Sequence, residues 1–116
     1  MRPSVIAFGL LGIALSSCGT SPTEPDRPDW LQALIARVER EPVTNPPSSI
    51  LSYRYRGDRV YFRPARCCDI PSELYDEEGR LVCLPNGGFS GSGDGRCPDF
   101  AATRTDERLI WRDPRT

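Results

Sequence analysis

The sequence of 116 residues contains no histidine and no lysine, so all 15 of its basic side chains are arginine. Without histidine, the protein cannot build a Ser-His-Asp or Cys-His catalytic pair and has no imidazole to bind a metal. Without lysine, it lacks a Schiff-base nucleophile and the lysine of a phosphate-binding loop. Since most small-enzyme mechanisms are thereby excluded, we expect a protein without catalytic residues.

The sequence also lacks an excess of charge of either sign. Its 15 arginines stand against 16 acidic residues, which gives a net charge of −1. Because nucleic-acid binding needs a clustered basic excess, we expect no nucleic-acid partner. Hydrophobic residues make up only 38% of the chain, whereas 12 prolines and 10 glycines indicate many loops. We therefore predict one small domain whose hydrophobic core is small and which needs covalent crosslinks for stability.

Residues 1–17 have the pattern of a secretion signal. Arg2 supplies the positive start, and Val5–Leu15 is an apolar run too short to span a bilayer, which takes about 20 residues. The four residues from Leu15 to Cys18 resemble a bacterial lipobox. We therefore predict that Cys18 is lipidated and becomes the new N-terminus, so that the lipid anchors the chain to a membrane. We expect no cofactor.

The segment 18–28 is polar and rich in proline, which is typical of a flexible tether. Several acyl chains on one cysteine would give durable membrane anchoring. Gly19, rather than Asp, follows the predicted lipidation site, which favours the outer membrane, facing the periplasm. A single domain over 29–116 would then be held in the cell envelope, where it could meet an envelope protein partner.

An amphipathic helix is predicted to begin at Asp29 as the capping residue and to end before Pro42. One face of this helix is apolar and consists of Trp30, Leu31, Leu34, Ile35 and Val38. This face is expected to pack on a sheet.

Alternating residues predict strands over 50–56 and 59–63, joined by a turn at Gly57 and Asp58. A second hairpin is predicted around the turn 76–79, and a last strand over 108–111. The fold class is therefore α+β: one N-terminal amphipathic helix packed on a small antiparallel sheet, loop-rich and disulfide-stapled.

Four cysteines remain in the predicted domain, namely Cys67, Cys68, Cys83 and Cys97. An even number in an oxidising compartment predicts two disulfides. A bond between Cys67 and Cys68 would close a strained ring, so we expect this adjacent pair to send one bridge to Cys83 and one to Cys97. A zinc site and a redox-active vicinal disulfide are the alternatives, although no C-x-x-C spacing supports zinc.

A glycine-rich segment extends over residues 86–96 and ends next to Cys97. It must either stay mobile or adopt positive φ angles, because so many glycines are costly to order. We predict that it presents a binding surface, with the candidate residues Asn86, Gly87, Gly88, Gly91, Gly93, Asp94 and Gly95. A calcium site that uses Asp94 and Asp99, and less strongly a hydrolase that uses paired carboxylates, are the alternatives.

Several short motifs carry a resemblance to a known family. They are Asn45-Pro46-Pro47, Cys67-Cys68-Asp69, Leu74-Tyr75-Asp76 and the run from Gly93 to Phe100. With them, the chain from Trp30 to Trp111 resembles a family of small bacterial lipoproteins catalogued as a domain of unknown function, DUF6970. The resemblance implies a location in the cell envelope and a domain stapled by cystines, and it implies no activity.

Overall fold

The computed structural model describes residues 27–66 and 69–115, together with Gly9 and Gly12. Apart from these two glycines, the predicted signal lies outside the described residues, as do Cys18 and the pair Cys67 and Cys68. Their predicted roles therefore stay predictions.

Helix α1 spans Asp29–Arg40 and follows the predicted pattern closely. Leu31, Leu34, Ile35 and Val38 are buried on one face, and the helix ends before Pro42, as the sequence predicts. The predicted cap is wrong by one residue: Pro28 is the N-cap, and Asp29 is the first helical residue. The Asp29 carboxylate still lies in the first turn, where the helix dipole favours a negative charge.

Five antiparallel strands form one sheet in the order β4-β3-β2-β1-β5. The strands are β1 (Ser49–Tyr55), β2 (Asp58–Arg63), β3 (Glu73–Tyr75), β4 (Leu81–Cys83) and β5 (Thr105–Arg112). Both predicted hairpins are confirmed, and the last strand is longer than predicted. The chain reaches β1 through a cis peptide bond between Asn45 and Pro46.

The turn between β1 and β2 is formed by Arg56 and Gly57, both with positive φ angles of 52° and 83°. Two central residues with positive φ match the twist of paired strands in a tight hairpin. The predicted turn at Gly57 and Asp58 is thus shifted by one residue, since Asp58 already pairs with Tyr55.

Both faces of the sheet are covered, whereas the alternation of β1 had predicted one buried face. Helix α1 packs on Ile50 and Tyr61 on one face. On the other face, two residues from beyond β4, Cys97 and Phe100, complete a core with Tyr53, Tyr55, Val60, Phe62, Leu74 and Cys83. The face of β1 with small and polar residues is therefore partly buried as well: Ile50 and Ser52 are buried there, whereas Arg54 is exposed.

A short helix, α2 (Phe100–Thr103), lies between β4 and β5 and was not predicted. Its single turn buries Phe100, whose ring meets Tyr53 edge to face at 5.5 Å and Tyr55 at 5.2 Å. The guanidinium of Arg104 covers the Tyr53 ring at 4.5 Å. Phe100 therefore closes the core on the face opposite α1.

The hairpin of β3 and β4 is fixed at its turn by helix α1. The indole Nε1 of Trp30 donates to the carbonyl oxygen of Glu77 at 2.8 Å. Gly79, with a φ angle of 84°, lies so close to the indole that an added Cβ would be 2.6 Å from it. The turn between β3 and β4 therefore lies against the N-terminal end of α1. In the described part of the chain, no helix is long and apolar enough to cross a membrane.

Candidate binding loop

A disulfide bond between Cys83 and Cys97 closes the glycine-rich segment into a loop. Cys83 ends strand β4, and both sulfur-bearing residues are buried in the core. The predicted pairing of these two cysteines with Cys67 and Cys68 is therefore wrong, because they bond to each other. Sequence spacing could not reveal that the loop returns to the strand from which it leaves. A bridge with a sequence separation of 14 contributes on the order of 3 kcal/mol.

Backbone hydrogen bonds order the loop between the two cysteines. Gly87 N donates to Gly91 O at 3.1 Å, and Gly93 N donates back to Gly87 O at 3.1 Å. Asp94 N donates to Leu84 O at 2.9 Å. These bonds satisfy main-chain groups that a mobile loop would leave to water.

The glycines of the loop adopt the positive φ angles that the sequence offered as one of two outcomes. Gly87, Gly88, Gly91, Gly93 and Gly95 have φ angles between 63° and 80°. Gly93 is also required by space, because an added Cβ would lie 1.7 Å from the carbonyl oxygen of Leu84. The glycines therefore specify one backbone path.

Asn86 anchors the beginning of the loop to the segment before β3. The Ser72 hydroxyl, which is fully buried, lies 2.6 Å from Asn86 Oδ1 and accepts the Asn86 N–H at 3.2 Å. The backbone repeats the link, since Ser72 N donates to Asn86 O at 3.0 Å. Asn86, a candidate contact residue in the sequence, is therefore engaged within the protein.

Phe89 is the large apolar side chain that this loop presents to solvent. It is 97% exposed, more than Val43, Ile70, Leu81 or Leu109, the other exposed large hydrophobic residues in the described part of the chain. It follows Gly88 in a turn in which Gly91 N donates to Gly88 O at 3.3 Å. Phe89 is not among the candidate residues predicted from the sequence; the signal that points to it is an aromatic residue flanked by glycine and serine.

The two predicted metal ligands each have a protein partner. Asp94 Oδ1 accepts the Arg96 N–H at 3.0 Å, which is a local turn. Asp99 Oδ1 accepts the Tyr55 hydroxyl at 2.5 Å and the Arg56 guanidinium at 3.1 Å. These hydrogen bonds lower the pKa of Asp99, and the bond from Tyr55 has the largest effect.

Burial, followed by the bond to Asp99, raises the pKa of Tyr55. Asp99 therefore serves to satisfy a buried tyrosine. Among the described residues, no group of three or more His, Cys, Asp or Glu side chains is arranged to hold a metal ion. Calcium binding stays a prediction without structural support in this part of the chain.

Comparison with known protein families identifies the family of this chain. A family model described as a domain of unknown function (DUF6970) matches residues 36–113, well over half of the chain. The chain belongs to the DUF6970 family. The resemblance predicted from the motifs is thus confirmed, whereas the lipoprotein character remains a prediction. No curated protein and no solved structure matches the chain.

The match places the candidate loop inside the DUF6970 domain, which extends from within helix α1 to the residue after β5. The match begins at Ala36, inside helix α1, and ends at Asp113. The disulfide, Phe89 and the glycines that fix the loop all belong to this stretch. The loop is therefore a feature of the domain itself.

Proposed function

We propose that this DUF6970 protein is a lipid-anchored protein of the bacterial cell envelope that binds a partner protein through loop 86–96. The observation that carries the proposal is the exposure of Phe89 on a backbone fixed by hydrogen bonds and a disulfide. The glycines and serines around Phe89 leave its ring without neighbouring bulky side chains. Phe89 is the anchoring residue, and the backbone of the loop supplies the surrounding polar contacts.

Physical chemistry favours recognition at such a loop. Aromatic side chains bury about 150–250 Å² each and are over-represented among residues that dominate binding energy. A loop that already holds its bound shape loses less conformational entropy on association. The Cys83–Cys97 bond and the Gly93 N to Gly87 O bond therefore lower the cost of presenting Phe89.

The position of the loop suits a partner on the side away from the anchor. The chain enters the domain at α1, whose residue Trp30 contacts the turn of the β3–β4 hairpin. Asn86 and Ser72 are paired at the other end of the same hairpin. A membrane anchor on the segment before α1 would therefore leave Phe89 at the far end of the hairpin.

The lipid anchor is the part of the proposal that rests on the sequence alone. The pattern from Leu15 to Cys18 and the polar tether after it support the anchor, and the outer membrane is the proposed location. Mass spectrometry of the membrane-extracted protein without reduction tests it. The expected result is an acylated N-terminal Cys18 together with a linked Cys83–Cys97 peptide. An unmodified Cys18 on an otherwise mature chain would remove the anchor from the proposal.

The binding proposal is tested by affinity capture from solubilised envelopes with Phe89→Ser. We expect partner proteins that the unaltered protein captures to be lost by this variant. Leu109→Ser is the matched control, because Leu109 is 59% exposed on edge strand β5, outside the loop. If both variants retained every captured protein, the loop would not be the contact surface.

A further inference from the structure

A groove separate from the binding loop lies between helix α1 and the β3–β4 hairpin. It has a volume of about 540 Å³, and Trp30, Ala33, Arg37, Arg40, Tyr75 and Gly79 are among its lining residues. That volume falls in the range of about 300–1,000 Å³ that small-molecule sites occupy. Ala33 and Ala36 of helix α1 have short side chains, which leave this side of the groove shallow.

Two aromatic rings of the groove are held in fixed positions. The indole of Trp30 donates to Glu77 O and rests on Gly79. The Tyr75 hydroxyl donates to the carboxylate of Glu73, and the two ring centroids are 5.7 Å apart. Both polar tips are satisfied inside the protein, so what these two half-buried rings present to the groove is apolar surface.

Two arginines supply the charge of the groove. Arg37 and Arg40 are exposed and lie three residues apart in the last turns of α1, so that their side chains are neighbours. Neither forms an ion pair with any of the residues that the structure describes, although several other arginines do. The positive charge of Arg37 acts on the Tyr75 hydroxyl across the groove, where it opposes the burial that raises the pKa of Tyr75.

We propose that this groove binds an acidic sugar residue of a glycan. The sugar ring would lie against Trp30 and Tyr75, and its carboxylate would accept hydrogen bonds from Arg37 and Arg40. Guanidinium groups recognise carboxylates through paired, charge-assisted hydrogen bonds. The flat C–H faces of a pyranose match aromatic rings, whereas the open shape of the groove would leave the rest of the glycan in solvent. This site is independent of loop 86–96.

The test uses a disaccharide that contains one glucuronate residue as the probe, and the neutral disaccharide with glucose in its place. Titration is followed by calorimetry and by the indole N–H resonance of Trp30 in NMR. We expect saturable binding of the acidic probe with a shift of the Trp30 resonance. The neutral probe should bind at least about tenfold more weakly, since it lacks the carboxylate.

The decisive variant is Arg37→Gln/Arg40→Gln, compared with Arg54→Gln/Arg112→Gln. Both double variants change the net charge equally, and all four arginines are exposed, but Arg54 and Arg112 lie outside the groove. We expect binding of the acidic probe to weaken about tenfold or more in the first variant and less than about twofold in the second.

Four results would overturn the proposal. The first is that the Trp30 indole N–H resonance does not shift up to about 10 mM acidic probe, the concentration that marks the weakest binding of interest. The second is equal binding of the acidic and the neutral probe, and the third is an equal loss of affinity for the acidic probe in the two double variants. The fourth is a shift of Trp30 by a glutamate-rich peptide at lower concentration than by the sugar, which would assign the groove to acidic peptides instead.

Discussion

The carboxylate of Asp113 holds the guanidinium of Arg115 against the last turn of helix α1. Arg115 Nη2 donates to Asp113 Oδ2 at 2.7 Å, and Nε donates to Oδ1 at 3.0 Å. The same guanidinium donates to Glu39 O at 2.7 Å, to Glu41 O at 3.1 Å and to Val38 O at 3.2 Å. The last carbonyl groups of a helix lack partners within the helix. Residues after the last strand therefore cap the first helix.

Replacing Arg115 with alanine is expected to lower the thermal midpoint of unfolding, because the carbonyl oxygens at the end of α1 and the buried carboxylate of Asp113 lose the guanidinium that donates to them. Arg115→Lys should restore little, since one ammonium group cannot reproduce a planar fork of donors. The control is Arg112→Ala, which removes an exposed arginine three residues earlier. Equal midpoints for Arg115→Ala and Arg112→Ala would contradict the capping role.

The Asp113–Arg115 pair also predicts how stability depends on pH in acid. Hydrogen bonds from Arg115 lower the pKa of Asp113 in the folded protein. The stability from this pair is therefore fully present above the unfolded pKa, about 3.9, and is lost as the pH falls through the folded pKa. Urea unfolding should show Asp113→Asn to be less stable than the unaltered protein at pH 7, with the difference shrinking in strong acid. A pH-independent difference would argue against the charged pair.

At alkaline pH, the tyrosines give a prediction of opposite sign. Burial, followed by the bond to Glu107, raises the pKa of Tyr53 to about 12, and burial with the bond to Glu73 does the same for Tyr75. Because the folded pKa lies above the unfolded value of about 10, the stability is present below pH 10 and is lost as the pH rises towards 12. Absorbance at about 295 nm, where tyrosinate absorbs, should show much less ionisation at pH 11 in the folded than in the urea-unfolded protein. Ionisation of all tyrosines near pH 10 while the fold persists would be the contrary result.

Gly93 and Gly95 form a matched pair for testing the path of the loop. Both have positive φ angles, 63° and 76°, but only the Cβ of an alanine at Gly93 would meet another atom, Leu84 O. Gly95→Ala should cost about 1–2 kcal/mol from the backbone angle alone. Gly93→Ala should cost about 1–3 kcal/mol more, because main-chain atoms must move. Equal free energies of unfolding for the two variants would mean that the loop does not approach Leu84 in solution.

The sequence predicted those parts of the fold that depend on neighbouring residues. The apolar spacing of α1 and the alternation in β1 and β2 each express a local rule, and both hairpins follow from turn residues at the right places. The candidate loop was found in the same way, because glycine is the residue that positive φ angles require. All of these signals lie within a window of about a dozen residues.

What the sequence could not predict are contacts between distant segments. The Cys83–Cys97 pairing depends on how the loop returns to β4, and the cover over the second face of β1 depends on where α1 packs, which is on Ile50 and Tyr61. Asp99 was predicted as a metal ligand from its residue type and its place near the glycine-rich segment. Its hydrogen bond with Tyr55, 44 residues away, cannot be inferred from the spacing of residues. The exposure of Phe89 could not be predicted either, since an aromatic residue is usually expected to be buried.

Crosslinking from position 89 tests whether Phe89 on the fixed loop contacts a partner protein. A photoreactive phenylalanine analogue would replace Phe89 in one form of the protein and Leu81, 47% exposed on edge strand β4, in another. Both forms would be irradiated in intact cells. We expect one discrete crosslinked protein from position 89, which is absent from position 81 and is lost when Gly93→Ala alters the loop. The same products from both positions, or none from position 89 while the protein is present and folded, would contradict it.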